Sequence, residues 1–362
     1  MQKIGIITDS IREKKTGIGY YSENLTNALL KFDKKNKFYF IDYEKNDFNR
    51  QNLIFVKNPF QNFFKTYTWH NILPLITRKL DLDYIFNLSG CPHLFPFKQK
   101  EFFFVYDLTW LVMPETHTQS RVLIYKLLFN KTVRNSYKIV VISQSTKRDL
   151  VKYYKVPENK ILLIYPRLPK QAKIEVKPKI DTKIPYILFI GTLEPRKNID
   201  SLIKAFYRLK TKVGLPHQLV ISGKGGWKYS SIFRLIEELK LKNDVTMTDY
   251  VTEEEKEYLY NHADVFVYPS FYEGFGIPPL EAMSHGCPVI TSNTSSLPEV
   301  VGDAAIMINP HDVNALAEAM GKVLTDGSLR REMIGKGLKQ AKKFNGEEFN
   351  KKEPKIYKEI YQ

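Results

Sequence analysis

Two glutamates, Glu273 and Glu281, stand with seven residues between them in the stretch SFYEGFGIPPLEAMSHGCPVI, residues 270–290. A carboxylate accepts hydrogen bonds from hydroxyl groups, each bond to a charged group contributing about 1.5–3 kcal/mol. Gly274 and Gly276 place bare backbone between the two acids, where amide N–H groups can hold a phosphate or a sugar oxygen. Pro278 and Pro279 suit the first turn of a helix, and Gly286 suits its end. Glu273 therefore falls at a strand end, and Glu281 about one turn into the helix. Helical side chains lean back toward the N-terminus, so the Glu281 carboxylate can reach the mouth of a crevice at the strand ends. The spacing reads as one acid for the hydroxyls of one sugar and the other for a second.

Arg196 and Lys197, in IGTLEPRKNID, sit beside a helix start, where cations oppose the helix dipole. Bound phosphate groups account for that placement. Gly17 and Gly19, in TGIGYYSENL, fall between the first strand and the first helix; they serve either an oxyanion or a turn with positive φ. Gly223, in ISGKGGW, repeats the strand–glycine theme with the same two readings. Asp107, in VYDLTW, follows a strand and reads as polar lining. Asp81 and Asp83 read more simply as a helix end than as metal ligands. The seven histidines lack metal-ligand spacing, so no metal site is expected.

Two α/β domains must position these residues. Short apolar runs alternate with helical patterns twice over, which argues parallel sheets covered by helices. The expected division is 1–168, a proline- and lysine-rich linker at 169–184, a second domain at 185–345, and a C-terminal helix at 346–362. Two cysteines indicate a reduced compartment, and the opening run reads as a buried strand rather than a signal peptide. The expected location is cytoplasmic. The charge is lopsided: residues 1–170 carry 28 Lys and Arg against 14 Asp and Glu, whereas residues 171–362 carry 27 against 25. The basic half fits solubility, or an anionic membrane surface met by segments such as RVLIYKLLFNKTVRNSYK and PFQNFFKTYTWH. No nucleic-acid recognition module is present.

EGFGIPPLEAMSHGCPVITSN…SLPEVVGDAA, with GTLEPRKN and VTMTDYV, closely resembles the retaining glycosyltransferases of family 4. The likeness is dense from about residue 186 to 310, and TGIGYYSENL, YDLTW and VISQSTKRDL carry it through the first half. The resemblance implies the GT-B fold: two Rossmann-like domains facing each other across a cleft, with a C-terminal helix crossing back. It implies that Glu281 binds ribose hydroxyls and that Glu273 holds the transferred sugar beside Phe275 and Gly276. Lys197, helped by Arg196, would neutralise the diphosphate in place of a metal, Gly17 and Gly19 would border it, and Tyr250–Val251 would meet the nucleobase. The implied substrates are a GDP- or UDP/dTDP-linked hexose, with mannose favoured, and a saccharide or lipid-linked acceptor in surface polysaccharide assembly. No cofactor is implied. Two positions depart from the pattern: Thr192 stands where many relatives carry Arg, and Tyr106 where many carry His, which touches the acceptor side. A non-catalytic nucleotide-sugar-binding protein and a sugar-nucleotide epimerase are the alternative readings.

Overall fold

The computed structural model describes residues 1–12, 17–43, 53–55, 65–169, 171, 175–178, 180, 183–226 and 228–345. Among the described residues the chain divides into two compact units, residues 1–167 and 168–345. Among the described residues each unit holds one sheet, and the strand pairings are parallel.

The first sheet comprises β1 (Lys3–Ile7), β2 (Lys37–Asp42), β3 (Leu53–Phe55), β4 (Tyr84–Asn87), β5 (Lys100–Val105), β6 (Lys138–Val141) and β7 (Ile161–Leu163), in the order β3-β2-β1-β4-β5-β6-β7. The second comprises β8 (Tyr186–Ile190), β9 (Gln218–Ser222), β10 (Val245–Thr248), β11 (Val265–Tyr268), β12 (Val289–Ser292) and β13 (Ala305–Ile308), in the order β10-β9-β8-β11-β12-β13. In both, strand order reverses beside the unit's first strand, between β1 and β4 and between β8 and β11. Ligands of such sheets bind beyond the carboxyl ends of the strands at that reversal.

The local sequence explains the elements. All five residues of β8 (YILFI) and all four of β12 (VITS) are buried, as in parallel strands covered on both faces. Helix Ile199–Val213 buries Ile199, Leu202, Ile203, Phe206 and Leu209, spaced at three and four, and stops at Gly214. Thr252 and Glu255 close a reciprocal capping box at the start of helix Glu253–His262. In the first unit, helix Gln119–Asn135 sends Phe129 and Val133 into a core with Phe103, Trp110, Val141 and Leu150.

Strand β3 and helix Lys65–Thr77 add to the alternation read from sequence. β3 has three residues, and the helix carries Pro74 inside it, so neither has a clean periodic signature. Leu168, which opens the second unit, donates its N–H to the Phe344 carbonyl, and of the linker Gln171 Nε2 donates to the Ser284 carbonyl and Val176 N to the Glu254 carbonyl. The expected C-terminal helix at 346–362, and residues 59–64 of PFQNFFKTYTWH, lie outside the described residues.

Gly223 marks a close approach of two strand ends. Its φ is +152°, and a Cβ there would lie 1.9 Å from the Gly191 carbonyl oxygen. Gly214 also has positive φ, +67°, but an added methyl meets nothing within 4 Å. Gly223→Ala should therefore lose roughly 2–4 kcal/mol in urea unfolding, from strain plus clash. Gly214→Ala should lose only about 1 kcal/mol; equal losses would show that the contact with Gly191 is unimportant.

Candidate active site

The loops that leave β8 and β11 meet at the reversal of the second sheet. After β8 the chain makes one 3-10 turn, Pro195–Lys197, and Asn198 takes the left-handed conformation before helix Ile199–Val213 begins. The Asn198 amide nitrogen donates to the carbonyls of Pro269 (3.0 Å) and Pro310 (2.7 Å). Phe271 N donates to the Arg196 carbonyl at 2.8 Å. These bonds fix the turn carrying Arg196 and Lys197 against the segment carrying Glu273.

Glu273 is buried and doubly paired. Arg196 Nη1 reaches Oε2 at 2.6 Å, and Lys197 Nζ reaches Oε1 at 2.6 Å. Lys197 also donates to the Tyr268 hydroxyl and lies 4.8 Å from that ring's centroid. Arg196 Nε pairs with Glu194 Oε1 at 2.5 Å, and Nη1 donates to the Tyr272 carbonyl. Burial works against ionisation of Glu273, but Arg196 and then Lys197 outweigh it and hold the carboxyl at about 2. For Lys197, burial and then neighbouring Arg196 draw the ammonium below its usual value, and the acids only partly offset this. Burial raises Glu194, with Arg196 and Lys197 opposing. Arg196 is the more open of the two cations, its side chain 19% exposed against 7% for Lys197.

A third loop, after β12, cradles the Glu273 backbone. Ser295 Oγ accepts from Glu273 N at 2.9 Å, and Ser296 Oγ donates to the carbonyls of Glu273 and Phe275. Thr294 Oγ1 donates to the Phe271 carbonyl at 2.9 Å. Gly276, at φ +110°, opens helix Ile277–Ser284, and a Cβ on it would strike Leu297. Gly274 lies buried in the same turn. The Phe275 ring packs edge-on against Phe344.

Glu281, the fifth residue of that helix, enters a second network. Lys256 Nζ donates to its Oε1 at 2.9 Å and Tyr260 Oη to its Oε2 at 3.0 Å. Lys256 also pairs with Glu253 at 2.7 Å. Burial disfavours the Lys256 charge, but Glu281 and Glu253 outweigh it and raise the ammonium above its usual value. His285 supports the group from below: Nδ1 bonds the Glu281 carbonyl, Nε2 pairs with Glu257, and the ring stacks on Tyr260. Tyr250 and Val251 follow the carboxyl end of β10, and Tyr250 is 63% exposed.

Several sequence readings change here. Gly17 and Gly19 lie inside the first turn of helix Gly17–Phe32 rather than in a loop before it, and neither has positive φ. Any oxyanion role there belongs to helix N-terminal amides. Gly223 is explained by its packing on Gly191. Asp107 turns onto its own loop, accepting from Thr109 N at 2.9 Å and from the Thr109 hydroxyl, instead of simply lining a crevice. Tyr106 is buried, and its hydroxyl donates to the Leu88 carbonyl at 2.5 Å. Glu194, Tyr268, Lys256, Tyr260 and the hydroxyls of 294–296 escaped sequence reasoning. Among them only Glu194, in EPRK, carried a local signal.

Residues 170–340 match the family of glycosyl transferases group 1. Over 250 residues the chain is 35% identical to the O-antigen chain mannosyltransferase B of Escherichia coli, covering 67% of this chain and 66% of that protein. The O-antigen chain mannosyltransferase RfbU of Salmonella typhimurium is 30% identical over 231 residues, covering 64% of this chain and 63% of its own length. The chain thus spans just under two thirds of these relatives. Sucrose-phosphate synthase from Thermosynechococcus elongatus has a TM-score of 0.75 at 21% identity, covering 100% of this chain and 99% of that one. The structure of Anabaena HepE in complex with UDP-glucose has a TM-score of 0.72 at 15% identity over the full length of both chains. These likenesses show the GT-B fold. The strand order, the matched segment and the sequence identity agree, and residues 170–340 are similar to the group 1 glycosyl transferases.

Proposed function

We propose that this protein is a retaining, metal-independent hexosyltransferase. It moves mannose from a nucleotide-sugar, GDP-linked or UDP/dTDP-linked, to a saccharide or lipid-linked acceptor in surface polysaccharide assembly, working at the inner membrane face. The observation that carries this reading is the buried Arg196–Glu273–Lys197 group at the carboxyl edge of the second sheet. The mannosyltransferase names of the relatives support the sugar, and the UDP-glucose complex of HepE supports a nucleotide-sugar donor.

In the reaction, the bond between the anomeric carbon and the diphosphate oxygen breaks, and the acceptor oxygen bonds to the same face of that carbon. The acceptor proton passes to the departing phosphate oxygen. Arg196 and Lys197 supply fixed positive charge where negative charge develops, the kind of preorganised field that lowers such barriers. Their pairing with Glu273 holds the acid ionised and oriented for the hydroxyls of the transferred sugar. Glu281, presented by Lys256 and Tyr260, accepts from the ribose hydroxyls. The exposed Tyr250 ring offers a stacking surface to the base.

Incubation with nucleotide-sugars and saccharide acceptors should release nucleoside diphosphate, with a glycosylated product in equal amount. Binding without release would favour the non-catalytic alternative. Glu281→Ala should weaken nucleoside diphosphate affinity about tenfold or more, by loss of charged hydrogen bonds, as isothermal titration would record. Lys197→Ala should lower kcat at least about a hundredfold, by analogy with removal of one preorganised donor. Because that change leaves a buried acid with one cation fewer, melting curves of Lys197→Arg and of Lys197→Met with Glu273→Gln must accompany it. A wild-type kcat in folded Lys197→Ala sinks the role.

The same group sets acid behaviour. Glu273 sits at about 2 in the folded chain, below the roughly 4.3 of a free glutamate. Its contribution to stability is therefore present above pH 4.3 or so and lost as pH falls toward 2. Urea midpoints should drop over that window, and less steeply in Glu273→Gln.

A further inference from the structure

The helix Gln119–Asn135 buries Phe129, Thr132 and Val133, and turns Leu123 and Leu127 the other way. Those two leucines are 58% and 68% exposed. The helix carries Arg121, Lys126, Lys131 and Arg134 and no Asp or Glu. Lys126, Lys131 and Arg134 are exposed. At the 3.6 residues per turn of an α-helix, Leu123, Leu127 and Arg134 fall within about 40° of one another. Lys126 lies about 60° to one side of Leu123 and Lys131 about 80° to the other. The exposed side thus has an aliphatic centre with cations at one end and along both flanks.

We infer that this side of the helix lies on an anionic lipid surface. Leu123 and Leu127 enter the boundary between headgroups and acyl chains, while Lys126, Lys131 and Arg134 extend their stems over that layer and meet lipid phosphates. Charge complementarity selects this occupant. A second copy docked through the same face would set two all-cationic patches against each other. A nucleic acid would reward the cations but leave two leucines between them uncovered. The surface position also fits a chain in which no described helix is long and apolar enough to cross a membrane. The proposal rests on the membrane-face part of the reading above and deepens it, but not on transfer itself, since binding to lipid requires neither donor nor turnover.

The test is sedimentation of the full chain with vesicles of phosphatidylcholine alone or mixed with phosphatidylglycerol, at low and high salt. The wild type should bind only the mixed vesicles and leave them at high salt. Leu123→Ser with Leu127→Ser, and separately Lys126→Ala with Lys131→Ala and Arg134→Ala, should each weaken binding at least tenfold; a cation near such a surface is worth roughly fivefold. Both variants should keep wild-type melting and wild-type release of nucleoside diphosphate from soluble substrates. Failure of vesicle binding is thereby separable from failure of the transferase reading. The proposal falls if the wild type ignores phosphatidylglycerol, if both variants bind as it does, or if it binds phosphatidylcholine equally well. It falls too if the leucine variant instead dissociates a dimer, or if RNA binds in a salt-sensitive manner that the leucine variant retains and the basic variant loses.

Discussion

The second unit is organised around a buried acid that cannot stand alone. An uncompensated Glu273 would be expensive to bury, so the loops from β8 and β11 must bring Arg196 and Lys197 within reach of it. Much nearby geometry follows from that requirement. The Phe271–Arg196 backbone bond, the Asn198 amide clamped between two carbonyls, and the Ser295 and Ser296 hydroxyls all hold the three charged groups in register. Tyr268 at the end of β11 completes the enclosure of Lys197. Breaking a buried pair of this kind is far more disruptive than losing an exposed one, so the constraint is stringent.

Glu281 shows a different solution to the same problem. Its two oxygens are occupied by one cation and one hydroxyl from a neighbouring helix, and that cation is itself shared with Glu253. The two glutamates, so close in sequence, therefore belong to separate polar networks joined by the short helix Ile277–Ser284. One network concentrates positive charge around an acid; the other disperses it. Under the proposed transferase reading, that division suits a donor whose diphosphate and hydroxyl-bearing ends differ in charge.

In the first unit the charge excess is partly concentrated in a place with consequences. The helix Gln119–Asn135 uses only one side for the core, where Phe129 and Val133 meet Trp110. Its other side combines aliphatic and cationic character that water alone does not favour. The candidate residues of this unit are also engaged within the fold: Tyr106 is committed to a buried carbonyl and Asp107 to its own turn.

Much of the fold was legible because hydrophobic runs and helical periods are local. β8 and β11 announce themselves as continuous apolar segments, and the Pro-Pro start of helix Ile277–Ser284 is visible in its letters. The identity of Glu273, Glu281, Arg196 and Lys197 as functional candidates likewise came from local type and spacing. What the letters could not decide was which charges meet. Lys197 and Glu273 are 76 positions apart, and Lys256 reaches Glu281 from another helix; only the strand order, by placing β8 beside β11, brings the first pair together. The helical placement of Gly17 and Gly19 and the inward turn of Tyr106 were also settled by tertiary packing. A side chain's partner depends on burial and on elements distant in the chain, whereas the period that forms the element is written in consecutive residues.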